Sequence, residues 1–316
     1  MRILVTGGAG YLGSLLVSVL LDEGHTVTVI DNGMYLGDSL LNCCHHQNFL
    51  IISGDIRDQL LIRQVINKQE VIIPLAALVG QPLCEANRNV SIDVNVNAVS
   101  YMMKIRQPFQ RIIFPSTQSC YGNVINGAIC DEMSPLSPMS QYAKTKAAAE
   151  HLVMEYDNVI ALRLGTLFGV STRMRNELLI NNLVYRAIYE RCAVLENPQA
   201  KRNYIHIRDA VNTFVFCINN FENLKNNVYN VGNSSLNISK YEICEAIKSH
   251  FPEFAVFVRS DVDPIDKRNY TISMSKIESK GWHPKVSLSD GIIELVKAFN
   301  LISPIKYSNY NRIPQY

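Results

Sequence analysis

A chain of 316 residues, 47% of them hydrophobic and with a formal charge of +2, can bury a sizeable core and form one large domain or two smaller ones. Its charges are spread without a basic stripe, which argues against a nucleic-acid partner, and no apolar run is long enough to span a bilayer, which argues against a membrane protein. Eight cysteines without regular spacing predict free thiols in a reducing cytoplasm, and an opening run that reads as a strand leads to the expectation of no signal peptide.

The first predicted element is the apolar strand Met1–Thr6. It runs into Gly7-Gly8-Ala9-Gly10-Tyr11-Leu12-Gly13 and then into the apolar helical pattern of Leu15–Leu21. The first glycines make the tight turn out of the strand, Gly10 lets backbone approach a pyrophosphate, and Gly13 lets the helix pack closely on the strand. The helix N-terminus offers its unpaired N–H groups and positive dipole to phosphate. A second strand, Thr26–Ile30, ends in Asp31, placed to accept the hydroxyls of an adenosine ribose and to repel a 2′-phosphate. The chain is thus predicted to bind a dinucleotide, NAD(H) in preference to NADP(H).

Further apolar runs at Asn48–Ser53, Glu70–Leu75, Arg111–Pro115 and Asn158–Leu164 alternate with helical patterns at Asp58–Asn67, Arg88–Gln107 and Gln141–Tyr156. Such alternation predicts an α/β fold, a doubly wound parallel sheet with helices on both faces and a smaller substrate lobe. Loops after the strands should then carry the chemistry: Gly54-Asp55-Ile56, Leu75-Ala76-Ala77 and Ser116-Thr117. Cys43-Cys44-His45-His46 mimics a metal cluster, but four adjacent residues cannot all reach one ion tetrahedrally, and no metal site is expected.

In the helix beginning near Gln141, Tyr142 and Lys146 fall one turn apart on one face. An adjacent ammonium favours phenolate over phenol, so the tyrosine pKa is expected to fall toward neutrality and the residue to serve as a base.

These segments, in this order, resemble the extended short-chain dehydrogenase/reductases that act on nucleotide sugars. The resemblance covers nearly the whole chain and includes Thr6–Gly13, Asp31-Asn32, Gly54–Asp58, Leu75–Ala77, Asn95–Ala98, Ser116-Thr117 with Tyr121-Gly122, and Tyr142 with Lys146. It continues through Arg202–Asp209, Tyr229–Gly232, Asp266–Tyr270 and Gly281–Pro284. By this resemblance Tyr142 is the general base, Lys146 its modifier and ribose anchor, and Thr117 the partner of the reacting sugar oxygen. NAD would be held, tightly, by Gly7, Gly10, Tyr11, Leu12, Gly13, Asp31, Asn32, Asp55, Ile56, Leu75, Ala76, Ala77 and Asn95, with Tyr142 and Lys146. Thr166, Arg175, Arg202 and Arg268 would bind the nucleotide-sugar substrate, the last two clamping its pyrophosphate.

The resemblance also implies a division of the chain. Residues 1–166 would form the dinucleotide-binding domain with 209–232 returning to it, and 167–208 and 233–316 the substrate lobe. Members that eliminate water carry an Asp-Glu pair after the threonine, where this chain has Gln118-Ser119; neither exchanges a proton near neutral pH, so oxidation or epimerisation at C4 is expected. Cys120, where an aliphatic residue is usual, is read as a small buried hydrophobe. The stretches Ile72–Gly80, Pro82–Cys84, Arg173–Arg175, Arg202–His206 and Asp263-Pro264 with Asp266–Arg268 resemble family members that oxidise C4 of GDP-heptoses for capsule polysaccharide. Finally, the helices at Arg88–Gln107 and Gln141–Tyr156 look apolar on more than one face through Val94, Val96, Val99, Met102, Met103, Leu152 and Val153, which predicts a homodimer built on them.

Overall fold

The computed structural model describes residues 1–35, 38–124, 128–259 and 268–302. Asp263, Pro264, Asp266 and Lys267, and residues 303–316 of the expected substrate lobe, lie outside them. In chain order the first part runs β1 (Arg2–Thr6), α1 (Tyr11–Asp22), β2 (Thr26–Asp31), β3 (Phe49–Ser53), α2 (Gln59–Ile66), β4 (Val71–Pro74), α3 (Gln81–Ala86) and α4 (Arg88–Ile92). A π turn at Asp93–Asn97 leads to α5 (Ala98–Ile105), then β5 (Arg111–Thr117), β6 (Ile129–Cys130), α6 (Gln141–Val153) and β7 (Val159–Leu164). The rest is β8 (Thr166–Phe168), α7 (Leu179–Tyr189), β9 (Cys192–Glu196), β10 (Lys201–His206), α8 (Ile207–Asn219), α9 (Phe221–Leu224), β11 (Asn227–Val231), β12 (Asn237–Ser239), α10 (Lys240–Lys248), β13 (Ala255–Arg259), β14 (Thr271–Ile272), α11 (Ser275–Glu278) and α12 (Leu288–Phe299).

Seven strands form one parallel sheet in the order β11-β7-β5-β4-β1-β2-β3. The near-continuous Val/Ile/Leu content of β1, β2, β4 and β7 suits strands covered on both faces. On one face α1 and α8 bury Leu16, Val17, Leu20, Val211 and Phe214; on the other, α2, α5 and α6 bury Ile62, Ile66, Val99, Met102, Met103 and Val153. The strand order reverses between β1 and β4, so the loops after them diverge and open a crevice at the carboxyl edge of the sheet. A third core, holding Phe168, Ile180, Leu183, Tyr204, Ile243, Ile247, Ile292 and Phe299, packs the later helices against two short sheets, β12-β10-β8 and β13-β9.

Three sequence expectations change. Strand β5 continues through Ser116-Thr117, pairing Ser116 with Arg163 and Thr117 with Leu164, because β7 supplies partners that far; the two residues end the strand instead of following it. The predicted helix Arg88–Gln107 is interrupted by the widened turn at Asp93–Asn97, a device that re-aims a side chain, here Asn95. Val99, Met102, Met103 and Val153 lie in the core beneath the sheet, and Val94 and Leu152 pack against that core half-buried. Those six side chains are accounted for within one chain and carry no argument for a dimer; Val96, half-buried in the π turn, is in none of these cores. Among the described residues no helix is long and apolar enough to cross a membrane, and no three His, Cys, Asp or Glu side chains converge as a metal site. Cys120 is fully buried and its thiol is pushed up to about 12, chiefly by burial, so it is an inert packing residue.

Candidate active site

A cleft of about 590 Å³ runs along the carboxyl edge of the sheet and beneath the third core. Clefts of this size hold small ligands with most of their surface buried. Gly7, Gly10, Tyr11, Leu12, Gly13, Asp31, Asn32, Asp55, Ile56, Leu75, Ala76, Ala77, Thr117, Tyr142, Lys146, Thr166, Arg175, Arg202 and Arg268 all line it. Of the residues singled out in the sequence, Asn95 alone does not. It is buried, and its amide is taken up within the protein: Nδ2 donates to the Leu78 carbonyl and to Thr145 Oγ1, each at 3.0 Å, and Oδ1 accepts the Leu78 N–H at 2.7 Å. Asn95 braces the cleft wall against α6.

The glycine loop is a cradle that side chains would fill. Gly7 has φ +70°, and a Cβ there would lie 2.6 Å from the Ala76 backbone; one on Gly13 would lie 2.5 Å from the Gly7 carbonyl oxygen. Helix α1 begins at Gly10 with no side chain capping it, so its first N–H groups face the cleft as an anion site. Asp31 accepts the Ala9 N–H on Oδ2 and the Gly33 N–H on Oδ1, both at 2.9 Å. These bonds use part of a carboxylate's acceptor capacity and leave lone pairs for ribose hydroxyls. Asp55 is clasped by Arg57, Nε to Oδ1 at 2.9 Å and Nη2 to Oδ2 at 2.7 Å, and the guanidinium holds its carboxyl below the usual range. Donors at a helix start, a carboxylate at the tip of β2 and another after β3 fit a dinucleotide. Tyr11 itself turns away, its hydroxyl donating to the Gly169 carbonyl at 2.7 Å.

At the inner end, Thr117 stands at the end of β5 and Tyr142 in the first turn of α6, which Ser140 caps by accepting the Ala143 N–H. The Thr117 Oγ1 accepts the Ser119 N–H at 3.1 Å, and Thr117 and Tyr142 line the same cleft, the threonine acting to lower the phenol's pKa. Lys146, one turn on, is buried with its Nζ 4.2 Å from the centroid of the Phe114 ring. Burial, helped by the Cys84 thiol, pushes Tyr142 up to about 12 against the charge of Arg175, the Thr117 hydroxyl and Arg268. This corrects the expectation of a lowered tyrosine: here desolvation outweighs every cation. Burial likewise pushes Lys146 down to about 7, with Glu150 opposing it.

The positions that would hold an acid and a base for elimination are engaged otherwise. Gln118 is buried with Nε2 donating to the Val231 carbonyl at 3.2 Å, and Ser119 Oγ accepts from Arg268. Arg175 pairs with Glu177 at 2.8 Å; burial opposes its charge, and Glu177 more than compensates. Sequence reading missed Arg57, Glu177, Lys240 and the Arg173 guanidinium over the Tyr35 ring at 4.9 Å, all in the cleft wall. Arg57, two residues beyond Asp55, and Arg173, in the stretch Arg173–Arg175, carried a signal; Glu177 and Lys240 did not.

Residues 3–232 match the model of the NAD dependent epimerase/dehydratase family. The chain belongs to that family. NAD is therefore its cofactor, and the glycine loop, Asp31 and Asp55 fit it. The chain is 30% identical to the low-salt glycan biosynthesis protein Agl12 of Haloferax volcanii, over 92% of this chain and 96% of that protein. It is 26% identical to mouse dTDP-D-glucose 4,6-dehydratase over 94% and 88%, and 24% identical to the CDP-paratose 2-epimerase of Salmonella typhi over 92% and 97%. Epimerases and dehydratases thus both occur among its relatives. The structure of UDP-glucuronic acid 4-epimerase from Bacillus cereus shares the fold, with TM-score 0.84 and 23% identity over 96% of this chain and all of that one.

Proposed function

We propose that this family member oxidises the C4 hydroxyl of a nucleotide sugar to a 4-keto sugar, with a GDP-heptose-like compound as substrate. The observation that carries the reading is the grouping of Thr117, Tyr142 and Lys146 at the inner end of the cleft, with Gln118 and Ser119 committed to other partners. Bound NAD supplies the hydride acceptor and a positive ring that favours phenolate. Thr117 orients the sugar oxygen and Tyr142 removes its proton, a transfer that general-base catalysis speeds by about 10²–10⁴-fold. Lys146 holds a ribose of the cofactor and steadies the phenolate. Arg202 and Arg268 pair with the substrate pyrophosphate, for which planar guanidinium is suited, while Thr166 and Arg175 line the same cleft.

Gln118 and Ser119 offer no group that exchanges a proton near neutral pH for loss of a C6 hydroxyl, so the chemistry stops at hydride transfer. If the 4-keto sugar turned over in the site and regained the hydride on its other face, the product would be the C4 epimer; Tyr142 serves both directions as base and acid. The GDP-heptose choice is supported by the resemblance of Ile72–Gly80, Arg173–Arg175 and Arg202–His206 to the enzymes that oxidise such sugars. A homodimer in the cytoplasm is part of the same reading, supported by family resemblance and by eight cysteines that are all free thiols. Incubation with NAD and a panel of GDP- and UDP-sugars, followed by mass spectrometry, tests the proposal. It expects a product lacking two hydrogens, or an isomer of equal mass, with a GDP-heptose preferred. A product lacking the elements of water would overturn it.

A further inference from the structure

Beneath the catalytic residues lies a buried ion pair that the reaction as described does not use. Glu150 on α6 and Arg163 on β7 are almost fully buried, with side chains 5% and 6% exposed. Arg163 Nη2 meets Glu150 Oε1 at 2.6 Å, and its Nε is 3.1 Å from both carboxylate oxygens. The remaining Glu150 oxygen accepts the Ser116 hydroxyl at 2.5 Å. Arg163 is fixed in turn, since Nη1 donates to Tyr121 Oη at 2.8 Å and to the Glu132 carbonyl at 3.2 Å, and Tyr121 Oη lies 2.8 Å from Asn230 Oδ1.

This network touches the site at two points. Ser116 precedes Thr117 on β5 and lines the same cleft. Glu150 lies four residues after Lys146 on α6, the spacing at which side chains on a helix meet. A buried ion pair is poor evidence of stability, because desolvating both charges consumes most of their attraction. Its carboxylate stands one turn below the buried Lys146 amine.

We propose that Glu150 is a positioning residue for the catalytic lysine: it is the counter-charge that keeps Lys146 an ammonium, and Arg163 and Ser116 hold it in place and moderate that charge. The inference rests on the role given above to Lys146. Burial pushes Lys146 down to about 7 even with Glu150 acting in its favour. Few other charges bear on it. On its own helix there is Tyr142, pushed up by burial and so neutral near pH 7. From β5 come only the Phe114 ring, Ser116 and Thr117. From α3, Cys84 faces Tyr142, and Glu85 is drawn to Arg88 and the Gln141 N–H. Arg88, Asp93 and Lys104 on α4, the π turn and α5 are exposed. Arg175 and Arg268 act across the cleft on Tyr142. Glu150 is thus the one group named here that favours the charged lysine from within the fold.

The test reads the lysine directly, in the NAD-bound protein without sugar. The Cε resonances of ¹³C-lysine-labelled protein are titrated, Lys146 being identified by its absence in Lys146→Arg. In Glu150→Gln the midpoint should fall by about one unit or more, so that the ammonium fraction above it drops about tenfold. Glu150→Asp should recover at least half of that shift, and the alkaline limb of the kcat profile should move with the resonance. A Gln variant that titrates with the wild type, or an Asp variant displaced as far as Gln, would overturn the proposal and leave the pair a scaffold. If Glu150→Gln does not fold by circular dichroism, Ser116→Ala is read: it strips one donor from the carboxylate, and the midpoint should rise, a static one counting against the idea. Should Lys146 respond while no sugar is ever oxidised, the proposed function fails and this one stands.

Discussion

Tyr142 reaches the cleft from the first turn of α6, where Thr117, Arg175 and Arg268 also line the wall. That Tyr142 and Lys146 would both reach the cleft from one helix was legible from spacing alone. The direction of the tyrosine pKa was not, because Leu78 in the loop after β4 and Leu83 and Cys84 on α3 pack against it, and no spacing rule predicts that approach. Its action as a base would therefore rest on the positive charge that NAD would bring beside it when bound, which favours release of the phenol proton to solvent. Tyr142→Phe removes only the ionisable oxygen, so folding and NAD binding should persist while turnover falls by about 10²–10⁴-fold; single-turnover hydride transfer measures this, and full activity in the variant would remove Tyr142 from the chemistry.

Among the elements, the β1-turn-α1 unit was the most readable, since tight turn, close approach and helix start each demand glycine at a fixed place. Gly13→Ala would press a Cβ to 2.5 Å from the Gly7 carbonyl and should cost about 1–3 kcal/mol of stability together with NAD binding, read by urea denaturation and calorimetry. Unchanged values would show that the loop yields. Asp31 both braces that loop and faces the ribose site. Asp31→Ala should weaken NAD binding about tenfold or more, the worth of one charged hydrogen bond, and narrow the preference over NADP, which competition titration would reveal. Less readable was the π turn. Asn95 looked like a cofactor ligand until the widened helix proved to turn it toward Leu78 and Thr145, contacts 17 and 50 residues away that local pattern does not encode.

At the scale of the molecule, the parallel sheet followed from the alternation of apolar runs, whereas the small sheets β13-β9 and β14-β6 did not, their partners being far apart in sequence. The third core meets the sheet near His206, which caps α8 and packs edge-on against Phe168, ring centroids 5.2 Å apart. Burial, reinforced by the charge of Arg208, pushes His206 down to about 4; Glu294, 3.5 Å from Nε2, is itself held by Arg208 at 2.7 Å. An unfolded histidine titrates near 6.5, so between there and about 4 the unfolded chain binds the additional proton. Stability should therefore fall as pH drops through that window, by up to about 3 kcal/mol, and His206→Asn should flatten the fall; urea midpoints at pH 7.5 and 5 give the answer, and an equal drop in both proteins would reject it.

On the proposed chemistry, the site moves the C4 hydrogen of a nucleotide sugar and does nothing further to the carbon skeleton. A GDP-heptose carrying deuterium at C4, followed through a single turnover by NMR and mass spectrometry, tests it most directly. The label should be found on the nicotinamide beside a 4-keto sugar, or back at C4 of the epimer. Label at C6 of a 6-deoxy product, or label that never leaves the substrate, would contradict it.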